Sequence, residues 1–421
     1  MRSRPSDLVL LAMLCMVAGG TGAAAQTEPA TGDAAVTWRE SFKATGVFSR
    51  YPEDAALFPD RGSATGLWRF RLEPTARVGD NATLEFAVEQ RVRAFSSESG
   101  TLGASVLPSE ADAPFRLRQL DWRLAASANS EWRAEVDRAA LHVRAGAAEV
   151  TIGRQAVGWG RGVLFGAVDL FAPFTPLEAD REWRRGVDAV RADVKLADRV
   201  SVDAVGAFGS DLDHSVVAAR LRGYAGKMDL EVVGGRRARD LFGGITTSAA
   251  VGEAEVHGEL AVFRAPAVPG SSIYTEDRSI AKAVAGGSYR IPLGHGVLVY
   301  GEYHYSGFGA TSSSSMMAQL ADPAFQERYL RGDTQILGRH AMAALASYEL
   351  SPEVSFAAQW LQNPVDGSGV LVPSCTLTFG DHASLGLSGY ASYGMAPSAG
   401  VLRSEFGTAP RVAFAQLRIY R

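Results

Sequence analysis

The sequence predicts an all-β fold: a transmembrane antiparallel β-barrel of about 18 strands, preceded by a cleaved signal peptide. Three observations predict it. Apolar and polar residues alternate with a period of two over most of the chain, the pattern of a strand with one face buried. Connections between these segments are alternately short and long, as in a barrel with tight turns on one side of a membrane and extended loops on the other. After the first 25 residues no apolar run is long enough to cross a bilayer as a helix, whereas a membrane strand needs only about 9–11 residues.

From the N-terminus, Arg2 and Arg4 precede an apolar run, Leu8–Gly19, and "GAAAQ" offers an Ala23-x-Ala25 cleavage site before Gln26. Residues 1–25 are thus expected to be a secretory signal peptide, too short and wrongly flanked for a membrane span. Cys15 lies too deep in the apolar run for a lipoprotein signal. Removing the signal leaves 40 basic residues, 45 acidic ones and a single cysteine, Cys375. A lone cysteine excludes an internal disulfide and a cysteine zinc cluster. Near-neutral charge with no basic block argues against a nucleic-acid partner. Residues 26–36, "QTEPATGDAAV", are expected to be a flexible leader, with the barrel over 37–421.

Nineteen segments carry the alternation: 42–50, 66–77, 82–95, 115–126, 131–144, 149–157, 186–195, 199–208, 214–225, 227–237, 243–251, 253–265, 280–291, 295–307, 338–350, 353–363, 370–379, 383–394 and 410–420. In "LWRFRLE", Leu67, Arg69, Arg71 and Glu73 share one face and Trp68, Phe70 and Leu72 the other. In "LEFAVEQRV", Glu85, Glu89, Arg91 and Arg93 oppose Leu84, Phe86 and Val88. In "EAEVHGELAVF", Glu253, Glu255, His257 and Glu259 oppose Ala254, Val256, Leu260 and Val262. Charged faces of this length suit a wet lumen and a lipid exterior; a secreted sandwich would have an apolar inner face. Single-chain bacterial barrels have even strand numbers, so one of the nineteen does not cross. Counting back from the C-terminus places the connection 158–185 outside, and counting forward from residue 42 places it inside. The surplus segment therefore lies before residue 186, and eighteen strands are expected, with sixteen next. Side chains cannot fill a barrel of that width, and a water-filled channel is expected. The last strand, "RVAFAQLRIY", ends on Tyr420, in the place where outer-membrane barrels commonly carry an aromatic residue that the barrel-assembly machinery recognises; Arg421 extends beyond it.

Signals for enzymatic chemistry are thin. There is no Gly-x-Ser-x-Gly elbow, His-Glu-x-x-His or phosphate-binding loop, and "GWGRG" at 158–162 lacks the dinucleotide spacing and the following helix. His304 and Ser306 share a strand face and are the candidates for an outer-membrane hydrolase, against the plainer expectation of a wet loop rim. Asp211 and Asp213 offer a weak calcium pair, against an ordinary loop tip. No motif calls for a cofactor or metal. Lysine occurs only at 43, 195, 227 and 282, leaving 38 arginines, side chains suited to bidentate pairing with carboxylates. Arg69, Arg71, Arg91, Arg93, Arg116, Arg118 and Arg133 alternate with Glu73, Glu85, Glu89, Glu135 and Asp137, so lumen ion pairs are expected, not a purely basic track. Arg154 joins the set expected to face the lumen.

The stretch from Glu149 to Val194 contains Gly153-Arg154-Gln155, Trp159-Gly160, Asp169, Pro173, Pro176 and Arg185-Gly186-Val187-Asp188-Ala189. It resembles Gram-negative outer-membrane porin-like barrels, particularly the alginate-export-like group. The resemblance implies a non-enzymatic outer-membrane channel for passive diffusion of small hydrophilic solutes, oligosaccharides among them. It would sit in outer-membrane lipid and lipopolysaccharide, as a monomer or a homotrimer. The alternative is an alginate-like polysaccharide-export channel. The resemblance also implies that 158–185 folds into the lumen as a constriction. Its charges, Arg161, Asp169, Glu178, Asp180, Arg181, Glu182, Arg184 and Arg185, would then set selectivity. Trp159, Phe165, Phe171, Phe174 and Trp183 are expected to anchor this segment, while Gly158, Gly160, Gly162 and Gly166 bend it and Pro173 and Pro176 stiffen it. Doubled back, it reaches about 45 Å at roughly 3.3 Å per residue.

Overall fold

The computed structural model describes residues 36–96, 106–108 and 112–421. The expected signal peptide and the leader as far as residue 35 lie outside that range, and Val36 already opens the first strand. The strands are β1 (Val36–Arg50), β2 (Gly62–Val78), β3 (Ala82–Phe95), β4 (Asp121–Ala126), β5 (Ser130–Ala145), β6 (Ala148–Gln155), β7 (Val187–Ala197), β8 (Val200–Ala207), β9 (Val216–Ala225), β10 (Met228–Arg237), β11 (Asp240–Val251), β12 (Ala254–Ala265), β13 (Arg278–Ile291), β14 (Val297–Ser306), β15 (His340–Ser351), β16 (Val354–Asn363), β17 (Ser368–Phe379), β18 (Ala383–Tyr393) and β19 (Arg411–Tyr420). Two helices, α1 (Ser313–Ala321) and α2 (Pro323–Leu330), lie between β14 and β15.

Eighteen of these strands form one closed antiparallel barrel. β1 pairs with β2 along its whole length and with β19 from Ser41 to Arg50, which closes the sheet. The nineteenth, β4, accounts for the surplus segment. It pairs only with the first residues of β5, through Asp121 opposite Glu135 and Ala126 opposite Glu131. β3 already occupies the other edge of β5. β4 is therefore a rim hairpin that fills the wall above the end of β6. Candidate 115–126 fails as a crossing strand because Phe115 and Leu120 take positive φ, 56° and 43°, and extended pairing cannot continue through that geometry.

Tight turns join β2–β3, β5–β6, β7–β8 and each following pair up to β17–β18 at one rim. Connections 51–61, 96–129, 156–186, 208–215, 266–277, 307–339 and 394–410 leave the other rim. Outward positions such as Leu84, Phe86, Ile245, Leu260, Val262 and Leu371 are exposed and apolar, while inward positions such as Lys43, Arg71, Glu89 and Glu259 are buried. Strand alternation thus separates a lipid-facing surface from a charged interior. One register shift modifies this on β5. Ala87 faces Arg138 and Val88 faces Val136, leaving Asp137 as the extra residue of a β-bulge. Both Asp137 and Arg138 then turn inward and are buried.

The lumen is not simply water-filled. The long connections carry their own apolar core into it, with Phe165, Leu170, Phe171, Phe325, Ile336 and Phe406 almost completely buried. Wall side chains cannot fill so wide a barrel, but loops from its rim do.

Candidate functional site: a segment laid across the lumen

Connection 156–186 touches inward side chains from strands all around the ring. Near its start, Trp159 donates from Nε1 to Asp203 of β8 at 3.1 Å, lies under Arg220 and meets Phe171 edge-on at 5.1 Å. The backbone then runs over two carboxylates. Glu259 of β12 accepts from Arg161 N and Gly162 N on one oxygen, and from Ala167 N (2.6 Å) and Val168 N (3.2 Å) on the other. Glu302 of β14 accepts from Val163 N, Leu164 N and Phe165 N at 2.9–3.0 Å, and also from Tyr300 and His257. Seven successive or nearly successive amides are satisfied by two side chains. The close approach depends on glycine: Gly160 sits at φ +102° with Glu259 Oε1 only 2.8 Å from where a Cβ would lie, and a Cβ on Gly162 would lie 1.8 Å from Phe165 O.

The second half is held differently. Asp180 takes both Lys43 of β1 (2.8 Å) and Arg69 of β2 (3.1 Å). Glu182 takes Lys43 at 2.7 Å and Tyr420 at 2.6 Å. Trp183 packs under Lys43, whose Nζ lies 3.6 Å from the ring centroid. Arg184 pairs with Asp169 at 2.7 Å, donates to Ala172 O and stacks on Phe174. Arg181 donates to the carbonyls of Val163, Thr175 and Pro176. The segment ends where Gly186 N donates to Asp137 and its carbonyl accepts from Arg116, the bulged position on β5 supplying that anchor.

Burial and these contacts shift the ionisation of five charged groups of the segment. Burial pushes the Asp169 and Glu178 carboxyls above their ordinary range. Burial acts the same way on Asp180, but Lys43 and Arg69 outweigh it and hold that carboxyl low. Burial also lowers Arg181 and Arg185 from the usual guanidinium value.

Beside residues 172–185 a cavity of about 480 Å³ remains open. Its walls are Arg69, Arg71, Glu89, Arg91 and Arg93 of β2 and β3, Glu135 and Asp137 of β5, and Glu178, Asp180 and Arg185 of the segment. Apolar groups close its other side, among them Pro173, Phe174, Trp183, Ile336 and Phe406. The wall charges are interleaved, not sorted: Arg69 forks onto Glu89, Arg71 reaches Glu73 and Asp137, and Arg91 bridges Asp121 and Glu135.

The structure thus brings Asp180, Glu178, Arg185, Arg69, Arg71, Glu89, Arg91 and Arg93 to one cavity. Arg161 lies elsewhere, paired with Asp229 and Glu231 of β10. Glu85 is with His142 and Arg138 near the short-turn rim. Arg154, expected in the lumen, instead seals the wall where β6 stops. It pairs with Asp188 and donates to the carbonyls of Arg118, Gln119 and Val136. The proposed hydrolase pair does not assemble either: His304 and Ser306 are fully buried, neither bonds to the other, and the imidazole stacks on Phe165 at 5.0 Å. Asp211 caps a short turn and Asp213 pairs with Arg236 and Arg239, so they form no shared cation site. Sequence reasoning missed Glu259 and Glu302 as the grips on the segment. The only available signal was their place on charged strand faces.

No family model matches the chain, and no curated protein sequence is similar to it. Solved structures are similar. A BenF-like porin from Pseudomonas fluorescens Pf-5 superposes with a TM-score of 0.54 at 10% identity, covering 92% of this chain and 98% of that one. The fold is that of the outer-membrane porins. Acinetobacter baumannii OccAB1 gives 0.53 at 12% identity, over 91% of this chain and 96% of that one. Pseudomonas aeruginosa OpdK, determined with vanillate, gives 0.50 at 10% identity over 91% and 98%. These comparisons lend no support to the alginate-export part of the sequence resemblance.

Proposed function

We propose that the protein is an outer-membrane channel for passive diffusion of small hydrophilic solutes, with 158–185 as the constriction that sets its width and selectivity. The observation that carries this reading is the course of the segment. It is bonded to strands on opposite sides of an 18-strand ring and leaves a charged cavity on one side only. The porin-like fold supports the same reading, as does the bound vanillate named for OpdK, a small hydrophilic molecule. In this reading the long loops are extracellular, the exposed apolar belt meets lipid, and lipopolysaccharide surrounds the long-loop rim. Recognition by the assembly machinery would fall on the last strand, although Tyr420 spends its hydroxyl on Glu182 inside the barrel. A polysaccharide exporter would want a continuous basic conduit, and the alternating charges of β2, β3 and β5 do not make one.

Planar-bilayer recording tests the proposal. Deleting Arg161 to Glu182 should raise single-channel conductance severalfold. A deletion variant that inserts normally and conducts like the parent protein would remove the constriction reading.

A further inference from the structure

We propose that the inner wall of β13 and β14 contains a buried site for one small inorganic anion, formed by Lys282, Ser306 and His304, with a halide as its simplest occupant. Lys282 and Ser306 are direct cross-strand partners, and His304 lies two residues along on the same inward face. All three are sealed off: Lys282 is 2% exposed, and His304 and Ser306 are 0% exposed. Phe165 stacks flat on the imidazole, 5.0 Å between centroids, and closes the site on the lumen side.

Among the described residues none of these groups has a partner. Ser306 Oγ and both ring nitrogens of His304 are buried without a hydrogen bond, and the Lys282 ammonium makes no ion pair or hydrogen bond. A buried ammonium with no counter-charge in contact is unfavourable, as is a buried donor with no acceptor. The charged groups that feel Lys282 are Arg237, Glu259 and Asp169, and His340 also faces His304. Most are committed. Each oxygen of Glu259 already accepts two backbone amides. Arg237 is held by Asp333 and by the carbonyls of Leu170 and Arg331. His340 accepts or donates to Tyr303 at 2.6 Å. Asp169 gives one oxygen to Arg184 and keeps Oδ1 free.

An anion answers every need of this wall at once. It accepts from the ammonium, from the serine hydroxyl and from an imidazole N–H, and it cancels the buried charge. Water would satisfy the donors but supply no counter-charge. The neighbour of Lys282 on the other strand is only Ala261, so no bulky side chain occupies that flank. The site would exist whether or not 158–185 narrows the pore, so its test is separate from the conductance test above.

The probe is bromide. Crystals of the full chain grown in sodium bromide should show an anomalous peak within hydrogen-bonding distance of Lys282 Nζ and Ser306 Oγ. In detergent, bromide or chloride should raise the melting temperature of the folded barrel relative to gluconate at equal ionic strength. Lys282→Met should abolish both effects and, having removed an unpaired charge, should fold as well as the parent in gluconate. Ser306→Ala keeps the charge and should weaken halide affinity roughly fivefold, as one lost neutral hydrogen bond would. Asp169→Asn removes the one competing acceptor and should leave halide binding intact or tighter. Absence of the bromide peak would overturn the proposal, as would halide stabilisation that survives Lys282→Met. If Asp169→Asn destabilises the barrel while no halide binds, Asp169 is the partner of Lys282 and the proposal fails.

Discussion

Between Trp159 and Val168 the segment across the lumen is gripped mainly by its backbone, whereas between Asp169 and Arg185 it is gripped mainly by its side chains. In the first limb, Glu259 and Glu302 accept amides that any residue could offer, and glycines admit the approach. In the second limb Asp180, Glu182 and Arg184 make ion pairs that depend on their identity. Only the second limb borders the cavity. The difference teaches a division of labour: the amide-held limb fixes where the segment lies, and the ion-paired limb supplies the charged wall of the cavity. Charges that face the cavity are screened by salt, while the buried amide–carboxylate bonds are screened much less.

The largest expected effect comes from breaking the first limb's grip. Glu259→Gln with Glu302→Gln should release the segment, since each bond from a donor to a charged acceptor contributes about 1.5–3 kcal/mol. Conductance should rise nearly as far as in the deletion variant, with added open-channel noise. Gly162→Ala comes next, because its Cβ would fall 1.8 Å from Phe165 O. It should raise conductance by a smaller factor and make residues 161–168 sensitive to protease. If neither change moves conductance, the amide grip does not position the segment.

Changes in the second limb should alter selectivity more than width. Arg184→Ala with Arg185→Ala removes two positive charges and should shift reversal potentials toward cation preference at nearly unchanged conductance. Raising ionic strength should reduce that shift. An unchanged reversal potential at low salt would show that these charges do not act on the solute path. The smallest effect concerns Glu405, which accepts from Leu337 N and Asn363 and borders the same cavity. Burial pushes this carboxyl up to about 7. A raised acid pKa means that the packed state binds the proton more tightly than an open state with an ordinary carboxyl. The junction of loops 307–339 and 394–410 should therefore be firmest in mild acid and loosen as pH rises through about 7. Hydrogen exchange at Leu337 and Gly338 reads this directly, and faster exchange at pH 5 than at pH 8, after correction for intrinsic rates, would contradict it. Glu405→Gln should remove the dependence.

Much of the barrel was legible because strand alternation is backbone geometry written into side-chain order. Arg69 and Arg71 against Trp68 and Phe70, or Glu259 against Leu260, follow directly from the two-residue period. Parity even confined the miscounted strand to the residues before 186. What failed is instructive: 115–126 alternates in two phases, apolar at 115 and 117 and then at 120, 122 and 124, and the slip falls where Arg154 recruits the carbonyls at 118–119 and the chain turns at Leu120. The charged residues of 158–185 stood out, and their partners did not. Lys43 and Asp180 are 137 residues apart, and amide donors leave no trace in residue type. The apolar core inside the lumen was hidden for a similar reason: Phe325 and Ile336 of connection 307–339 and Phe406 of 394–410 look like unrelated loop residues until the rim folds inward.

The bulge at Asp137 has a consequence for how β5 tolerates change. On either side of it the strand is read in two opposite frames, odd residues inward before it and even residues inward after it. Asp137 is thus the one residue that β5 carries beyond what β3 pairs, and the strand could close over its removal with Val136 still outward and Arg138 still inward. Arg138, bonded to Asp137 and to the carbonyl of Arg184, would stay on the lumen side and lose only its bond to Asp137. Deletion of Asp137 should therefore cost about as much as its replacement by alanine, since both remove the carboxylate that holds Arg71, Arg116, Arg138 and Gly186 N, whereas deletion of a paired residue such as Ala139 would turn the rest of the strand over.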